Sequence, residues 1–427
     1  MVNKSQLKKV ANANYNLYNR KNDLSVIGRA FDLHINIRSK DTKSLSWRNT
    51  MIDLQRCREE IDKIDRQIVE LFEQRMQVSK QVAEYKISTG KHVLDKEREQ
   101  QKLNAVTSLV EGEFNRHGVR ELFTQIMSMS RKLQYSMMTT QKEREFTKIS
   151  SIPKSKETRV VFFGANGSYT EQAMEECFGK DITSFPADTF REVMAAVQDG
   201  RADYGVLPIE NTTTGGITDS YDLLVEFQNH IVAEHVIKVE QALLALPGAK
   251  ISDIRKVYSH PQGILQSRKF LEQYPNMEPI EEGSTAGCAK KVVAEQDITQ
   301  AAIASVRAAK AYGLEVLAEH INYEDVNSTR FIIITNRREY CQGADKMSIC
   351  FSLLHESGTL YNMLSHIIYN NLNMTKIESR PLAGKRFEYR FFLDFEGSIE
   401  DPGVINTLRG IEAEALDMKI LGNYKSV

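Results

Sequence analysis

Three observations predict a multidomain chain: an all-α segment, then a two-lobed α/β region, then an α+β ferredoxin-like unit. From 52 to 88 apolar residues recur at three- and four-residue steps without Pro or Gly. From 159 to 336 short apolar strands alternate with helical runs. From 348 to 421 the order is strand, helix, strand, strand, helix, strand. At 427 residues, with roughly 150 per domain, about three domains are expected. A formal net charge of −1 argues against a nucleic-acid partner. Cys57, Cys177, Cys288, Cys341 and Cys350 are widely spaced, form no C-x-x-C and have no ligand-spaced histidines, which fits a reducing cytoplasm and no metal. No apolar run has bilayer-spanning length and the N-terminus lacks a signal-type apolar core, so no membrane partner is expected.

Residues 1–50 carry ten Lys and Arg against Asp23, Asp32 and Asp41, many Asn, and no sustained apolar period, so little packed structure is expected. A basic, acid-poor leader also fits an organelle transit peptide. Ser does not dominate and acids are present, so an extension ahead of an alternative start at Met51 is preferred. Trp47, the only tryptophan, lies in it.

In the all-α segment, Ile61, Ile64, Ile68, Leu71, Val78 and Val82 lay one stripe along the first helix, which Gly90 closes. At ~1.5 Å per residue that helix is roughly 50 Å long, too long for one short chain segment to cover, and a homodimer or larger assembly is expected. Asp95 is the predicted N-cap of a second helix holding Leu103, Val106, Leu109 and Val110 and ending at Gly112. A third helix is predicted from about Val119, with Leu122, Ile126, Met129 and Leu133 on its seam. Arg75 follows Leu71 on the stripe, and Lys86, eleven residues later, falls about 20° from it; Ser130 and Gln134 continue the row of Phe123 and Met127. Singly, each has an ordinary explanation as a snorkelling cation or a satisfied core polar group. Jointly, two cations and two hydrogen-bonding groups converging in a bundle point to a small dianion.

The run Arg58-Glu59-Glu60-Ile61-Asp62-x-x-Asp65, with Arg75, Lys86, Asp95, Arg98, Glu99, Ser130 and Gln134, resembles the helical chorismate mutase family. The resemblance implies a pericyclic rearrangement of chorismate to prephenate, needing no nucleophile but a compact conformer and stabilised charge on the breaking ether oxygen. It implies that Arg58 and Arg75 grip carboxylates, that Lys86 and Gln134 donate to the ether oxygen, and that Asp95, Arg98, Glu99 and Ser130 position the substrate. Arg58 and Arg75 are seventeen residues apart. That is ~25 Å of axial rise and about 100° of rotation, too far for one small substrate. The family's intertwined dimer would let Arg58 complete the site of a second copy.

Residues 142–158, Ser/Lys-rich around Pro153, read as a linker. The apolar run 160–163 then opens Gly164-Ala165-Asn166-Gly167-Ser168-Tyr169 before a helix. Such a turn either presents N–H groups to an anion or simply joins strand to helix, and it is not G-x-G-x-x-G or a phosphate loop. Strands at 203–209, 242–246, 257–259 and 301–305 alternate with helices at 221–228, 263–271 and 287–296, giving two lobes with a cleft. Polar clusters fall where runs break: Pro208-Ile209-Glu210-Asn211-Thr212, Ser259-His260-Pro261-Gln262, Ser284-Thr285-Ala286, and Asn327-Ser328-Thr329-Arg330-Phe331 just ahead of an apolar strand. Each alone reads as a turn or an N-cap, whereas the set reads as a site carried on strand ends.

In this order Gly-x-x-Gly-Ser-Tyr, Leu-Pro-Ile-Glu-Asn-Thr, Ser-His-Pro-Gln, Ser-Thr-Ala and Asn-Ser-Thr-Arg-Phe resemble prephenate dehydratase over 159–336. Ala165 departs from the family's usual Pro, which bears on the rigidity of that turn. The resemblance implies a two-lobed fold similar to periplasmic binding proteins and loss of carbon dioxide and the ring hydroxyl from prephenate. It implies Thr329 beside the leaving hydroxyl and Arg330 on a carboxylate. Asn211, Thr212, Ser259, His260, Gln262, Ser284, Thr285 and Phe331 would line the cleft, and Glu210 and His260 are candidate proton donors.

After a polar connection at 337–343, strand 348–354, helix 360–370, strands 374–379 and 387–395, helix 402–415 and strand 418–421 make a βαββαβ unit. Gly358-Thr359-Leu360-Tyr361 and Glu378-Ser379-Arg380-Pro381 are in themselves a loop and a strand end. They resemble the phenylalanine-binding motifs of the regulatory ACT domain. That resemblance implies an effector site at Gly358, Thr359, Leu360, Glu378, Ser379 and Arg380, with a helix N-terminus for the amino-acid carboxylate.

The expected organisation is a basic extension at 1–50, mutase helices at 51–141, linker at 142–158, dehydratase at 159–336 and ACT domain at 345–427. The expected activity takes chorismate through prephenate to phenylpyruvate without a cofactor, under phenylalanine control. A mutase fused to prephenate dehydrogenase would need a dinucleotide fingerprint, which the sequence lacks. A non-catalytic amino-acid sensor would leave Thr329-Arg330 and the helical motif unexplained.

Overall fold

Asp53 starts the first helix by accepting the N–H groups of Gln55 and Arg56 on Oδ1 at 3.0 and 3.2 Å. Gly90, at φ +69°, lies just past its last residue, where a left-handed conformation ends a helix. Between them, Leu54–Thr89 is a single helix in the computed structural model, which describes residues 53–138, 146–323, 326–382 and 384–427. The extension expected at 1–50, with Trp47 and the start at Met51, lies outside the described residues, as does Gln141. The chain forms two units, 1–70 and 71–427. In the first, residues 53–70 are the opening turns of this helix and leave Ile61, Ile64 and Ile68 exposed.

In the second unit, helices Lys96–Thr107 and Glu113–Met137 follow. Asp95 caps the former, its Oδ1 accepting Arg98 N–H at 3.0 Å. That helix stops five residues short of the expected Gly112, because Thr107 and Ser108 turn their hydroxyls back onto the Leu103 and Ala105 carbonyls, both at 2.8 Å. Leu109 and Val110 therefore lie beyond it. Gly112 opens the third helix instead, its carbonyl accepting Arg116 N–H at 3.0 Å.

A ten-stranded sheet carries most of this unit. Its order is Met374–Pro381, Tyr389–Glu396, Lys346–Ser352, Asp417–Tyr424, His230–Lys238, Ser328–Thr335, Tyr204–Asn211, Arg159–Phe163, Thr183–Ala187, with Gly215–Gly216 beside Tyr204–Asn211. The first four, with helices Thr359–Tyr369 and Pro402–Glu414, are a ferredoxin-like βαββαβ unit. It joins the α/β region edge to edge, Gly422 pairing with Ile231 in parallel. The central strands are buried on both faces and so read as continuous apolar runs, with Val160, Val161, Leu207 and Ile333 inaccessible.

The second lobe is a five-stranded sheet ordered Glu315–Ala318, Ala242–Ala245, Gln300–Ala304, Lys256–Ser259, Glu278–Glu281. The chain crosses between lobes twice, and the crossings are tied together: Ile321 N–H donates to Gln241 O at 3.0 Å and Val239 N–H to Asn327 O at 2.8 Å. The segment expected to be a plain linker also contains the strand Thr147–Ile149. It pairs with Glu339–Cys341, so the two polar connections support each other.

Candidate active sites

Helix Leu54–Thr89 presents Arg75 and Ser79, one turn apart, to Ser130 and Gln134, one turn apart on Glu113–Met137. Arg75 Nη1 donates to Ser130 Oγ, Ser79 Oγ stands 3.3 Å from the same hydroxyl, and Gln134 Nε2 donates to Ser130 O at 3.2 Å. Gln134 Oε1 is buried with no partner among the described residues. Lys86 Nζ donates to Val93 O at 2.6 Å. Burial lowers the pKa of Arg75, opposed by Glu99, and that of Lys86, opposed by Asp95 and Glu99. Glu99 thus lies within electrostatic reach of two half-buried cations, and Ser130 bonds one of them. Asp95 is occupied as a helix cap, Arg98 is exposed, and Arg58 is an exposed residue of the first unit.

In the α/β region the site residues sit at the ends of strands. Thr329 lies opposite Asn211 in the register between Ser328–Thr335 and Tyr204–Asn211. Both Ser328 and Thr329 are inside the strand rather than ahead of it. Asn211 is a buried hub: Nδ2 donates to Thr329 Oγ1 at 3.0 Å and to Asn327 Oδ1 at 2.8 Å, and Oδ1 accepts the N–H groups of Thr213 and Thr214. Thr212 Oγ1 donates to Val326 O and accepts Ser328 N–H, closing the turn over the hub. Asn327 and Thr213 were missed as members of this constellation, although Asn327 opens the quoted motif; Thr213 Oγ1 donates to Asn327 Oδ1 at 3.0 Å.

The other lobe contributes helix starts at the carboxyl ends of its strands, where open α/β sheets bind ligands. Ser284 caps Thr285–Glu295 by accepting Gly287 N–H at 3.1 Å. His260 Nδ1 accepts Gln262 N–H at 3.2 Å, and burial lowers the imidazole pKa against Glu281. The lobes touch where Ser305 Oγ donates to Gly167 O at 2.8 Å. A Cβ at Gly167, at φ +80°, would stand 2.7 Å from Ala308 Cα, so this contact requires glycine.

Four expected residues are placed otherwise. Ser259 is fully buried and donates to Ile303 O at 2.8 Å, tying strands of the second lobe rather than lining the cleft. Phe331 is a core residue among Val160, Phe162 and Ile333. Arg330 cannot share Thr329's direction, because successive strand residues face opposite sides. Its guanidinium lies 3.0 Å from Glu210 and Glu234 and 3.1 Å from Asp394 of the βαββαβ unit. Lys346 and Lys376 complete the cluster on Glu234 and Glu210 at 2.9 and 2.7 Å. Burial works against the guanidinium's charge, but Asp394, Tyr424 and Glu234 outweigh it and raise its pKa. Glu210 is likewise held below the carboxylate range: burial raises its pKa, and Lys376 and Arg330 more than reverse that. A carboxylate so held is not a proton donor at neutral pH.

In the C-terminal unit Gly358, at φ +82°, precedes helix Thr359–Tyr369, and Thr359 Oγ1 donates to Leu354 O and Glu356 O. Leu360 packs against that unit's core. Arg380 forms a two-point pair with Asp222 at 2.6 and 3.1 Å, Glu378 stands over Gly216, and Ser379 is exposed.

Residues 57–135 match the chorismate mutase type II family and residues 160–339 match prephenate dehydratase. A bifunctional chorismate mutase/prephenate dehydratase of Aquifex aeolicus is 33% identical over 379 residues, covering 88% of this chain and 98% of that protein. The chain belongs to the bifunctional chorismate mutase/prephenate dehydratase family. It is an enzyme with both activities, rearranging chorismate to prephenate and converting prephenate to phenylpyruvate. Among solved structures, a prephenate dehydratase from Arthrobacter aurescens in complex with L-Phe is similar to 63% of this chain and 90% of its own, with 30% identity and TM-score 0.59. A protein described as a quorum-quenching acylase, GqqA, is similar over 63% of this chain and 98% of its own, with 32% identity and TM-score 0.58. Among the described residues, no helix is long and apolar enough to cross a membrane.

Proposed function

We propose that the two reactions run at separate sites, the mutase among the helices of 51–141 and the dehydratase in the cleft of 159–336, with 142–158 as connection and 345–427 as an ACT regulatory domain. In the mutase, Arg75 binds a substrate carboxylate, Lys86 and Gln134 donate to the ether oxygen as charge grows on it, and Glu99 and Ser130 hold the hydroxyl and side chain. Gln134 Nε2 gives one hydrogen to Ser130 O at 3.2 Å, and the second amide hydrogen is the one assigned to the ether oxygen. Asp95 and Arg98 border the site. Arg58 comes from a second copy in a homodimer, which the exposed apolar stripe supports.

In the dehydratase, the observation that carries the reading is the bond from Asn211 Nδ2 to Thr329 Oγ1. Because the hydroxyl oxygen accepts there, its own hydrogen points elsewhere, and in this reading it donates to the departing ring hydroxyl of prephenate. With Arg330 withdrawn, a prephenate carboxylate is taken up by N–H groups at the start of Thr285–Glu295, beside Ser284. Thr212, His260 and Gln262 border the cleft. His260 remains the candidate proton source, since Glu210 is held ionised.

The C-terminal unit binds phenylalanine through Gly358, Thr359, Leu360, Glu378, Ser379 and Arg380 and lowers dehydratase activity. The ferredoxin-like order and the phenylalanine complex of the Arthrobacter aurescens dehydratase support this. An ultraviolet assay that feeds chorismate and follows phenylpyruvate, with and without NAD and phenylalanine, tests the whole reading. Product should form without NAD and slow with phenylalanine. NAD dependence or absence of product would overturn it.

A further inference from the structure

We propose that Arg131 is a positioning residue of the mutase reaction, setting the Glu99 carboxylate while Glu414 of the C-terminal unit, itself flanked by His366, holds the guanidinium from the other side. The inference rests on the placement of Glu99 in the chorismate site. Arg131 follows Ser130 on helix Glu113–Met137, and its Nη1 stands 2.7 Å from both Glu99 oxygens. Its other edge meets Glu414, Nε to Oε1 at 2.8 Å and Nη2 to Oε2 at 3.3 Å. His366 Nε2 lies 3.2 Å from the same Oε1. A guanidinium gripped on two edges cannot turn, which a lysine at this position could not reproduce. Arg131, Glu414 and His366 are buried, while Glu99 is 26% exposed at its side chain, so the row of alternating charges opens to solvent at its mutase end.

Two further bonds fasten the same helix to the C-terminal unit: Lys132 Nζ to Ser365 Oγ at 2.8 Å and Arg409 Nη1 to Met138 O at 2.5 Å. The His366 ring lies against Gly410, where a Cβ would come within 2.3 Å of Nδ1. Helix Pro402–Glu414 thus sets where the imidazole, and with it Glu414, can sit. The reason to assign Arg131 more than docking is the company Glu99 keeps. Arg75 and Lys86 both attract it. Unrestrained, Glu99 would swing onto one of them and neutralise a cation that the substrate needs; Arg131 pulls the carboxylate away and keeps one orientation available to a substrate hydroxyl.

The test is a double-mutant cycle in the full chain, with kcat and KM of both reactions measured for Glu414→Gln, Glu99→Ala and the pair. Glu414→Gln is nearly isosteric and spares the Arg131 side chain, whose removal could unfold the interface. Glu414→Gln should lower mutase kcat/KM about tenfold, leave dehydratase kcat/KM unchanged, and cost nothing more once Glu99 is Ala. An unchanged mutase rate in Glu414→Gln, or an equal loss in both backgrounds, would overturn the proposal, because a merely structural pair acts independently of Glu99. A wild-type mutase rate in Glu99→Ala would remove Glu99 from the site and the proposal with it.

Discussion

The helical and α/β regions bury their apolar residues in different ways within one chain. Ile333 and Ile334 are sealed at 0% exposure, whereas Leu71 and Val78 on the helical stripe are exposed at 64% and 58%. The α/β lobes are closed by their own chain, through paired crossings and the Ser305–Gly167 contact. Among the described residues, nothing covers the stripe of the long helix. The lesson is that one chain can seal an α/β region on itself while leaving an apolar stripe of its long helix exposed.

The largest effect is expected at Arg75. Arg75→Ala should cost about 4 kcal/mol in mutase kcat/KM, as for a hydrogen-bonded charge whose partner is left unpaired, and leave dehydratase kinetics intact. Parallel loss in both reactions would mean that the regions are not independent. Next, Thr329→Ala should cost about 3 kcal/mol in dehydratase kcat with mutase activity kept. Asn211→Asp should be comparably damaging, because a carboxylate would capture the Thr329 hydroxyl hydrogen. Near-normal turnover in either would remove Thr329 from the chemistry.

Arg330→Met should act on the fold rather than on prephenate. Leaving Glu210, Glu234 and Asp394 without the guanidinium should lower unfolding stability by about 2–4 kcal/mol while the KM of the folded enzyme stays within about threefold. Unchanged stability with a large rise in KM would return Arg330 to the substrate. The smallest effect is in pH dependence. Burial would raise the pKa of Glu414, but His366 and Arg131 reverse this and hold it at about 2 against an ordinary 4.5. Its contribution is therefore complete above about 4.5 and is lost as pH falls toward 2. The stability difference between wild type and Glu414→Gln should shrink over that window in melting curves, and a constant difference would refute the assignment.

The order of elements was readable because its signals are local: the stripe of Leu54–Thr89, the caps at Asp95 and Ser284, and Pro402 at the first turn of the last helix. Arg330, expected on a substrate carboxylate, lies instead among Glu210, Glu234 and Asp394. Adjacency to Thr329 in a strand places the Arg330 side chain on the other face, so being next to that hydroxyl in sequence does not aim it at the same place. Ser259 and Phe331 fall in the motifs expected to line the cleft, but a motif does not distinguish the residue that touches substrate from the one that holds the turn. The Thr147–Ile149 strand is three residues with a polar start, too short for any period to appear. The Glu99–Arg131–Glu414 row could not be foreseen, since Arg131 and Glu414 are 283 residues apart.

The central claim, that the mutase site is finished by a second copy while the dehydratase cleft is not, is tested most directly by co-expressing Arg58→Ala and Arg75→Ala chains under two affinity tags. Each variant alone should be nearly inactive as a mutase and normal as a dehydratase. Purified heterodimers should regain mutase activity, because one of their two sites receives both arginines. Verified heterodimers with no more mutase activity than the parents would contradict the shared site.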